Sequence, residues 1–223
     1  MADNTSVTAD TAGLRDLASR VRTPDVVDAM GRAHRHVCHI DDLVSPTPGR
    51  VLLGPALTVS YLPSCAEALP PERYNFTRLL TDAVGEGAPG GVLVLAGNGH
   101  TGVSLGGGGK LSLLAAHGLA GVLADGRLRD FPQLATYDFA AYCWGETTKW
   151  GGDVVTPYEA NRPVVVAGVT IRPGDYVFAD GSGAVVIPAA QVISVFEEAN
   201  RIVRDEEAFV ESVRKGAVDA RFE

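Results

Sequence analysis

The stretch from Gly106 to Asp130, GGGGKLSLLAAHGLAGVLADGRLRD, sets a glycine-rich turn, a helix, an apolar strand and a charged tip in one unbroken unit. Helix and strand alternating at this distance, with short strands and flanking helices elsewhere, give α/β or a layered β/β/α arrangement. Glycines leave backbone N–H groups uncovered, and such a turn before a helix can hold an anion. The strand Gly121-Val122-Leu123-Ala124 delivers Arg129 and Asp130 to the same end of the fold. An arginine clamps a carboxylate at two points. An aspartate beside it suits a hard cation such as Mg²⁺, which keeps most of its waters and takes remaining ligands from the substrate. Together these parts suit a small keto acid.

The remaining pattern is consistent with short strands flanked by helices. Helices are predicted over Thr11 to Val21, Thr23 to Met30, Pro70 to Val84 and Lys110 to His117, with Gly118 as a C-terminal cap. Strands are predicted over Ala56 to Leu62, Val92 to Leu95, Phe139 to Cys143, Val164 to Val169, Tyr176 to Phe178 and Ala184 to Ile187. Gly145 to Asn161 is polar and reads as a loop or irregular crossover. Arg172-Pro173-Gly174-Asp175 has Pro-Gly at its centre, which favours a type II turn. A long last helix starts at Pro188 and ends at Gly216. Its apolar positions from Val192 to Val213 keep helical spacing, so one face is expected to be buried. No internal repeat is visible. The expected division is an N-terminal extension, residues 1–20, and a single domain, 21–216.

Charge and cysteines narrow the function classes. The 223 residues carry a net charge of −8 with a pI near 5.1, which disfavours nonspecific binding to nucleic acid. No run of about 18 apolar residues occurs, so no membrane span is expected. The N-terminus has acids and no apolar segment, unlike a secretory signal. Cys38, Cys65 and Cys143 are odd in number and widely spaced, which points to free thiols in a reducing cytoplasm.

Other motifs have bland alternatives. Gly106–Lys110 invites a P-loop reading, but Ser104 stands at the first glycine position and Leu111 follows Lys110, so nucleotide binding is rejected. His34, His36, Cys38 and His39 form a His-x-His-x-Cys-His pattern; on a strand His34, His36 and Cys38 would share a face and suit a soft metal, but the usual ligand spacing is lacking and loop histidines are the default. Arg129-Asp130 taken alone could be a solvated strand end with an internal ion pair. Asp125-Gly126 is a common turn pair, and Arg127 is expected to face solvent. Trp144 and Trp150 flank a loop and either line a pocket or pack at an interface.

The segment Asp125-Gly126, Arg129-Asp130 with its upstream glycine loop resembles the RraA-like family, which includes 4-hydroxy-4-methyl-2-oxoglutarate and 4-carboxy-4-hydroxy-2-oxoadipate aldolases and the regulator of ribonuclease E activity. Thr23–Gly31, Gly54–Val59, Gly90–Val94, Val169–Asp175 and Gly183–Pro188 resemble further parts of it in the same order. The resemblance implies a layered β/β/α swivelling fold, like phosphohistidine domains. It implies a homotrimer, or a hexamer of two trimers, with sites between subunits. It makes Asp130 the ligand of Mg²⁺ or Mn²⁺. Arg129 becomes the clamp on the keto acid, and Gly107, Gly108, Gly109, Lys110 and Leu111 a carboxylate nest, with the N–H groups of Gly109, Lys110 and Leu111 as donors.

One departure is specific. Family aldolases carry an acid in the glycine loop, separated by twenty residues from the Arg-Asp pair; here that position is Gly108. His100 and Asp180 are candidate replacements. Glu206, with Glu207 beside it, is another, matching a glutamate that the family's C-terminal helix lends to the adjacent subunit; an exposed helical charge is the alternative. The function implied is a divergent metal-dependent lyase on a small 2-oxo acid, by retro-aldol cleavage or decarboxylation. The alternatives are a non-catalytic regulatory protein or an enzyme recruited to a specialised pathway with a changed substrate.

Overall fold

The computed structural model describes residues 11–33 and 37–216. In chain order the elements are α1 (Thr11–Ala18), α2 (Thr23–Ala33), β1 (His39–Ile40), β2 (Leu52–Pro63), α3 (Phe76–Val84), β3 (Val92–Ala96), β4 (Ser104–Gly106), α4 (Gly108–Ala116), β5 (Gly121–Ala124), β6 (Arg127–Leu128), α5 (Phe131–Leu134), β7 (Ala140–Tyr142), β8 (Val155–Ala160), β9 (Val164–Val166), β10 (Val169–Ile171), β11 (Tyr176–Asp180), β12 (Gly183–Ile187) and α6 (Val192–Arg214). They fall into two compact units: one spans His36–Ala189, and the other joins Met1–Arg35 with Ala190–Glu223.

The larger unit is built on a sheet ordered β1-β12-β11-β2-β3-β5-β7, with β8 also paired to β2. The run β2, β3, β5, β7 is parallel. Parallel strands are covered on both faces, which is why β3, Val-Leu-Val-Leu-Ala, is apolar throughout and wholly buried. Alternate side chains feed two cores. Leu93, Leu95 and Val122 point towards α3 and α4, meeting Phe76, Leu80, Leu111 and Leu114. Val92, Val94 and Leu123 point to the other face, where the β9–β10 hairpin supplies Val164, Val166, Val169 and Ile171. Hairpin, sheet and helices stack in that order, giving the expected layered β/β/α arrangement. The predicted turn after β10 is present: Asp175 N–H donates to Arg172 O at 3.0 Å, and Gly174 takes φ 86° as the third residue of a type II turn must.

Several boundaries differ from expectation. α3 begins at Phe76 rather than Pro70, because Asn75 caps it: its side chain accepts from Arg78 N–H at 3.0 Å. The segment Val164 to Val169 is not one strand but turns back at Ala167-Gly168, both at positive φ (50° and 82°). The polar stretch Gly145 to Asn161 contains β8, antiparallel to the far half of β2. α4 starts at Gly108, earlier than Lys110.

In the smaller unit α6 packs on α1 and α2. Buried Asn200 donates to Leu17 O (3.0 Å) and Phe196 O (2.8 Å), tying α6 to the end of α1. The expected continuous buried face of α6 stops at Ile202; Phe209, Val210 and Val213 keep the helical spacing but are 49%, 46% and 45% exposed. Among the described residues no helix is long and apolar enough to cross a membrane.

Candidate functional site

The short strands β4 and β6 pair in parallel, and Arg129 N–H donates to Gly106 O at 3.0 Å. This clip, invisible in the local sequence pattern, draws the charged tip against the glycine loop. Gly107 then runs extended and caps α4. Asp130 adopts the left-handed conformation (φ 62°, ψ 44°) and turns its carboxylate back: Oδ2 accepts from Gly108 N–H at 3.0 Å. The negative charge thus sits at the positive end of α4, worth about 0.3–1 kcal/mol. A Cβ at Gly107 would stand 2.7 Å from that Oδ2, so a side chain there would have to push the carboxylate aside.

Arg129 and Asp130 form a wall shared by two clefts. The larger, about 900 Å³, is bounded also by Pro132, Gln133, Glu146, Thr147 and Thr148. The smaller, about 210 Å³, is bounded also by Ser104, Gly107, Gly109, Lys110 and Trp150. Lys110 and Arg129 make the smaller cleft positive. Loss of solvation, and secondly the Arg129 charge, hold the Lys110 ammonium below the usual lysine pKa. An anion between the two cations would relieve that repulsion.

The residues expected in the site divide. Gly107, Gly109, Lys110, Arg129 and Asp130 come together in the smaller cleft. Two members of the predicted nest do not offer donors. Leu111 N–H already donates to Gly107 O at 2.9 Å, as the first helical bond of α4, and its side chain is fully buried. Gly108 N–H is taken by Asp130. That leaves the first-turn amides of Gly109 and Lys110, which no helical carbonyl satisfies. His100 lies in the loop after β3 and lines neither cleft. Asp180 lines neither cleft, and its Oδ1 accepts from Ser182 N–H at 2.8 Å. Glu206 and Glu207 lie on α6, beside a cleft of the smaller unit with Arg22 and Arg214. Of the proposed soft-metal residues, His34 and His36 lie outside the described residues; Cys38 is buried, and its thiol is pushed up by that burial.

Arg127 does not simply face solvent: Nη1 donates to Glu146 O at 3.1 Å. Asp125 is not a surface turn residue but is buried, with Oδ1 accepting from Trp144 Nε1 at 3.0 Å. Burial raises its pKa, while bonds from Trp144 and the Gly97 and Ala167 backbones pull it back. Trp144 is therefore a structural strut, whereas Trp150, 58% exposed, stands over the smaller cleft.

Three residues escaped the sequence reading. Bridges Leu128↔Glu146 and Ser104↔Trp150 lay residues 144–150 alongside β6 and β4 and carry Glu146 into the larger cleft. Asp130 and Glu146 are, among the described residues, the carboxylates lining the two clefts. Glu146 Oε1 also accepts from Phe131 N–H at 3.0 Å. Gln133 and Tyr137 occupy the space beside Gly108: Gln133 Nε2 donates to Tyr137 OH (2.8 Å), and Tyr137 OH donates to Gly108 O (3.0 Å). A Cβ on Gly108 would stand 2.1 Å from Gln133 Oε1. The place of the missing family acid is thus filled by an amide.

No group of three or more His, Cys, Asp or Glu among the described residues is arranged to hold a metal. An exposed carboxylate in an open cleft, with no histidine or thiolate beside it among the described residues, does not suit Zn²⁺ or copper, but it does fit Mg²⁺ or Mn²⁺, which bind through one or two carboxylates plus water and substrate oxygens.

The family model for Aldolase/RraA, the RraA-like family, matches residues 23–186. The chain belongs to the RraA-like family. A Halalkalibacterium halodurans relative named "Putative 4-hydroxy-4-methyl-2-oxoglutarate aldolase" is 32% identical over 126 residues, 56% of this chain and 60% of the relative. Protein DlpA of Legionella pneumophila is 28% identical over 171 residues, 76% of this RraA-like chain but 26% of DlpA. The chain thus spans less than two thirds of either curated relative. Streptomyces coelicolor RraAS2, described as an unusual member of the RNase ES inhibitor RraA protein family, superposes with a TM-score of 0.75 at 25% identity, over 92% of this chain and 98% of that one.

Proposed function

We propose that this RraA-like protein is a metal-dependent carbon–carbon lyase acting on a small 2-oxo acid. The observation that carries it is the Asp130 carboxylate fixed on the Gly108 amide with Arg129 in the same wall. The relative named as an aldolase supports the reaction class. Asp130 Oδ1 would hold Mg²⁺ or Mn²⁺, whose chemistry is to stabilise the enolate charge left by cleavage. Arg129 pairs with the substrate carboxylate and keto oxygen. Lys110 and the amides of Gly109 and Lys110 receive the rest of the carboxylate. In decarboxylation the bond to the leaving carboxylate breaks, CO₂ departs and its electron pair stays as the enolate; no base is required. Retro-aldol cleavage needs the substrate hydroxyl proton removed first, and Glu146, which lines the larger cleft, would serve as that base.

Release of pyruvate from oxaloacetate and a panel of 4-hydroxy-2-oxo acids, with Mg²⁺, Mn²⁺ or a chelator, tests the reading. Metal-dependent release from at least one substrate is expected; none from any would favour a regulatory protein, the reading that the amide-filled acid position supports. Cleavage of 4-hydroxy-4-methyl-2-oxoglutarate should be poor, because Gly108 supplies no acid. Its φ is not positive, so an aspartate fits the backbone, but Gln133 must swing away and lose its bond to Tyr137, at about 1 kcal/mol. Gly108→Asp combined with Gln133→Ala should therefore gain more cleavage of that substrate than Gly108→Asp alone. Equal rates for both variants would show that Gln133 is no obstacle.

The assembly is proposed to be a trimer or a dimer of trimers, with Glu206 reaching an adjacent site. Exposed Phe209, Val210 and Val213 on α6 are the surface that suits such contact. Sedimentation at micromolar concentration should show no monomer; a monomer would overturn shared sites.

A further inference from the structure

Ser104, Lys110 and Trp150 border not only the smaller cleft but also a groove of about 370 Å³ on its far side. The groove is walled by Tyr61, Leu69, Tyr74, Phe76, Trp150 and Val155. Five of its polar side chains are engaged by the protein. Tyr61 OH donates to Leu105 O (3.2 Å), Ser64 and Thr156 bond each other (3.0 Å), Asn75 caps α3, and Ser104 Oγ donates to Gly106 O (2.8 Å). Lys110 is the single charged side chain on the lining, and it stands at the junction with the smaller cleft, its Nζ 5.8 Å from the Phe76 ring centroid. A second carboxylate placed in the groove would lose its water and find, among the described residues, no cation on the lining beyond Lys110.

The wall is also set in position. The backbone bridge to Ser104 holds Trp150 on β4. Its indole lies against Gly152, where a Cβ would come within 2.3 Å of Cζ2. Tyr74 is stacked on Tyr158 with centroids 6.0 Å apart.

We infer that the groove is a subsite for an apolar tail, so that the substrate class is a 4-hydroxy-2-oxo acid bearing an aryl or alkyl chain rather than a second carboxylate, cleaved by the retro-aldol route. This rests on the reading of Arg129 and Lys110 as the carboxylate end. The chemistry divides at Lys110: charge on one side, aromatic surface on the other, as in sites where a few polar groups orient an otherwise apolar ligand.

Calorimetric titration of the full chain in Mn²⁺ buffer with pyruvate, oxaloacetate, phenylpyruvate and 2-oxooctanoate tests it. Phenylpyruvate and 2-oxooctanoate should bind roughly tenfold more tightly than pyruvate, as apolar complementarity of this size gives. Trp150→Ala should bring the phenylpyruvate-to-pyruvate ratio close to one. Gly152→Ala, which displaces the indole without removing it, should lower the ratio as well. If pyruvate binding depends on Arg129 but phenylpyruvate binds no better, or its advantage survives both variants, the subsite is wrong and the lyase reading stands. If no 2-oxo acid binds in an Arg129-dependent way, the carboxylate end is wrong and the inference falls with it.

Discussion

Asp130→Asn is expected to abolish metal binding and lyase activity while leaving the fold intact. Asparagine tolerates the left-handed backbone of residue 130 and can still accept from Gly108 N–H, so only the charge is removed. Asp130→Ala would confuse the result, since a strained left-handed alanine costs on the order of 1 kcal/mol or more in itself. The expected loss in kcat/KM is about 3 kcal/mol or more, given the several kcal/mol that a metal supplies to a developing enolate. Calorimetry with Mg²⁺ and Mn²⁺ separates the causes. An asparagine variant that binds either ion as wild type does would overturn the metal assignment.

Arg129→Lys should be nearly as severe, despite keeping the charge. The bond from residue 129 N–H to Gly106 O is made by backbone, so the clip between β4 and β6 survives the substitution. What is lost is the planar two-point contact, which an ammonium cannot reproduce. Kinetics should show a fall in kcat/KM of roughly 2–4 kcal/mol if the contact strengthens on the enolate. A lysine variant with unchanged kinetics would mean that no carboxylate or enolate sits against residue 129.

The parts that were legible in the sequence are those fixed by local chemistry. The apolar run Val92–Leu95, the Pro173-Gly174 turn and the glycine loop with Arg129-Asp130 announce themselves through composition and spacing. β8 does not: it carries Pro157 and polar residues, and becomes a strand only because the far half of β2 offers it a partner. The turn at Ala167-Gly168 was hidden inside an otherwise continuous apolar run, although Gly168 was its one signal. In the site, one of the three expected donors is lost because Leu111 N–H is consumed by Gly107 O, and Asp130 turns back onto Gly108 N–H, which only the folded geometry reveals. Gln133 beside Gly108 and Glu146 beside Arg129 are long-range placements with no periodicity to betray them. A glycine at position 108 was visible; that an amide fills its space was not.

The tether between Asp130 and the Gly108 amide bears on how fast a ligand is captured. The bond holds loop and carboxylate together through the chain's own atoms, so under the proposed function a 2-oxo acid would meet a surface that needs no ordering step. Association should then follow simple bimolecular kinetics, linear in ligand concentration. Its rate constant should fall as salt screens Lys110 and Arg129, as expected when encounter is steered by charge and not gated by a closing segment.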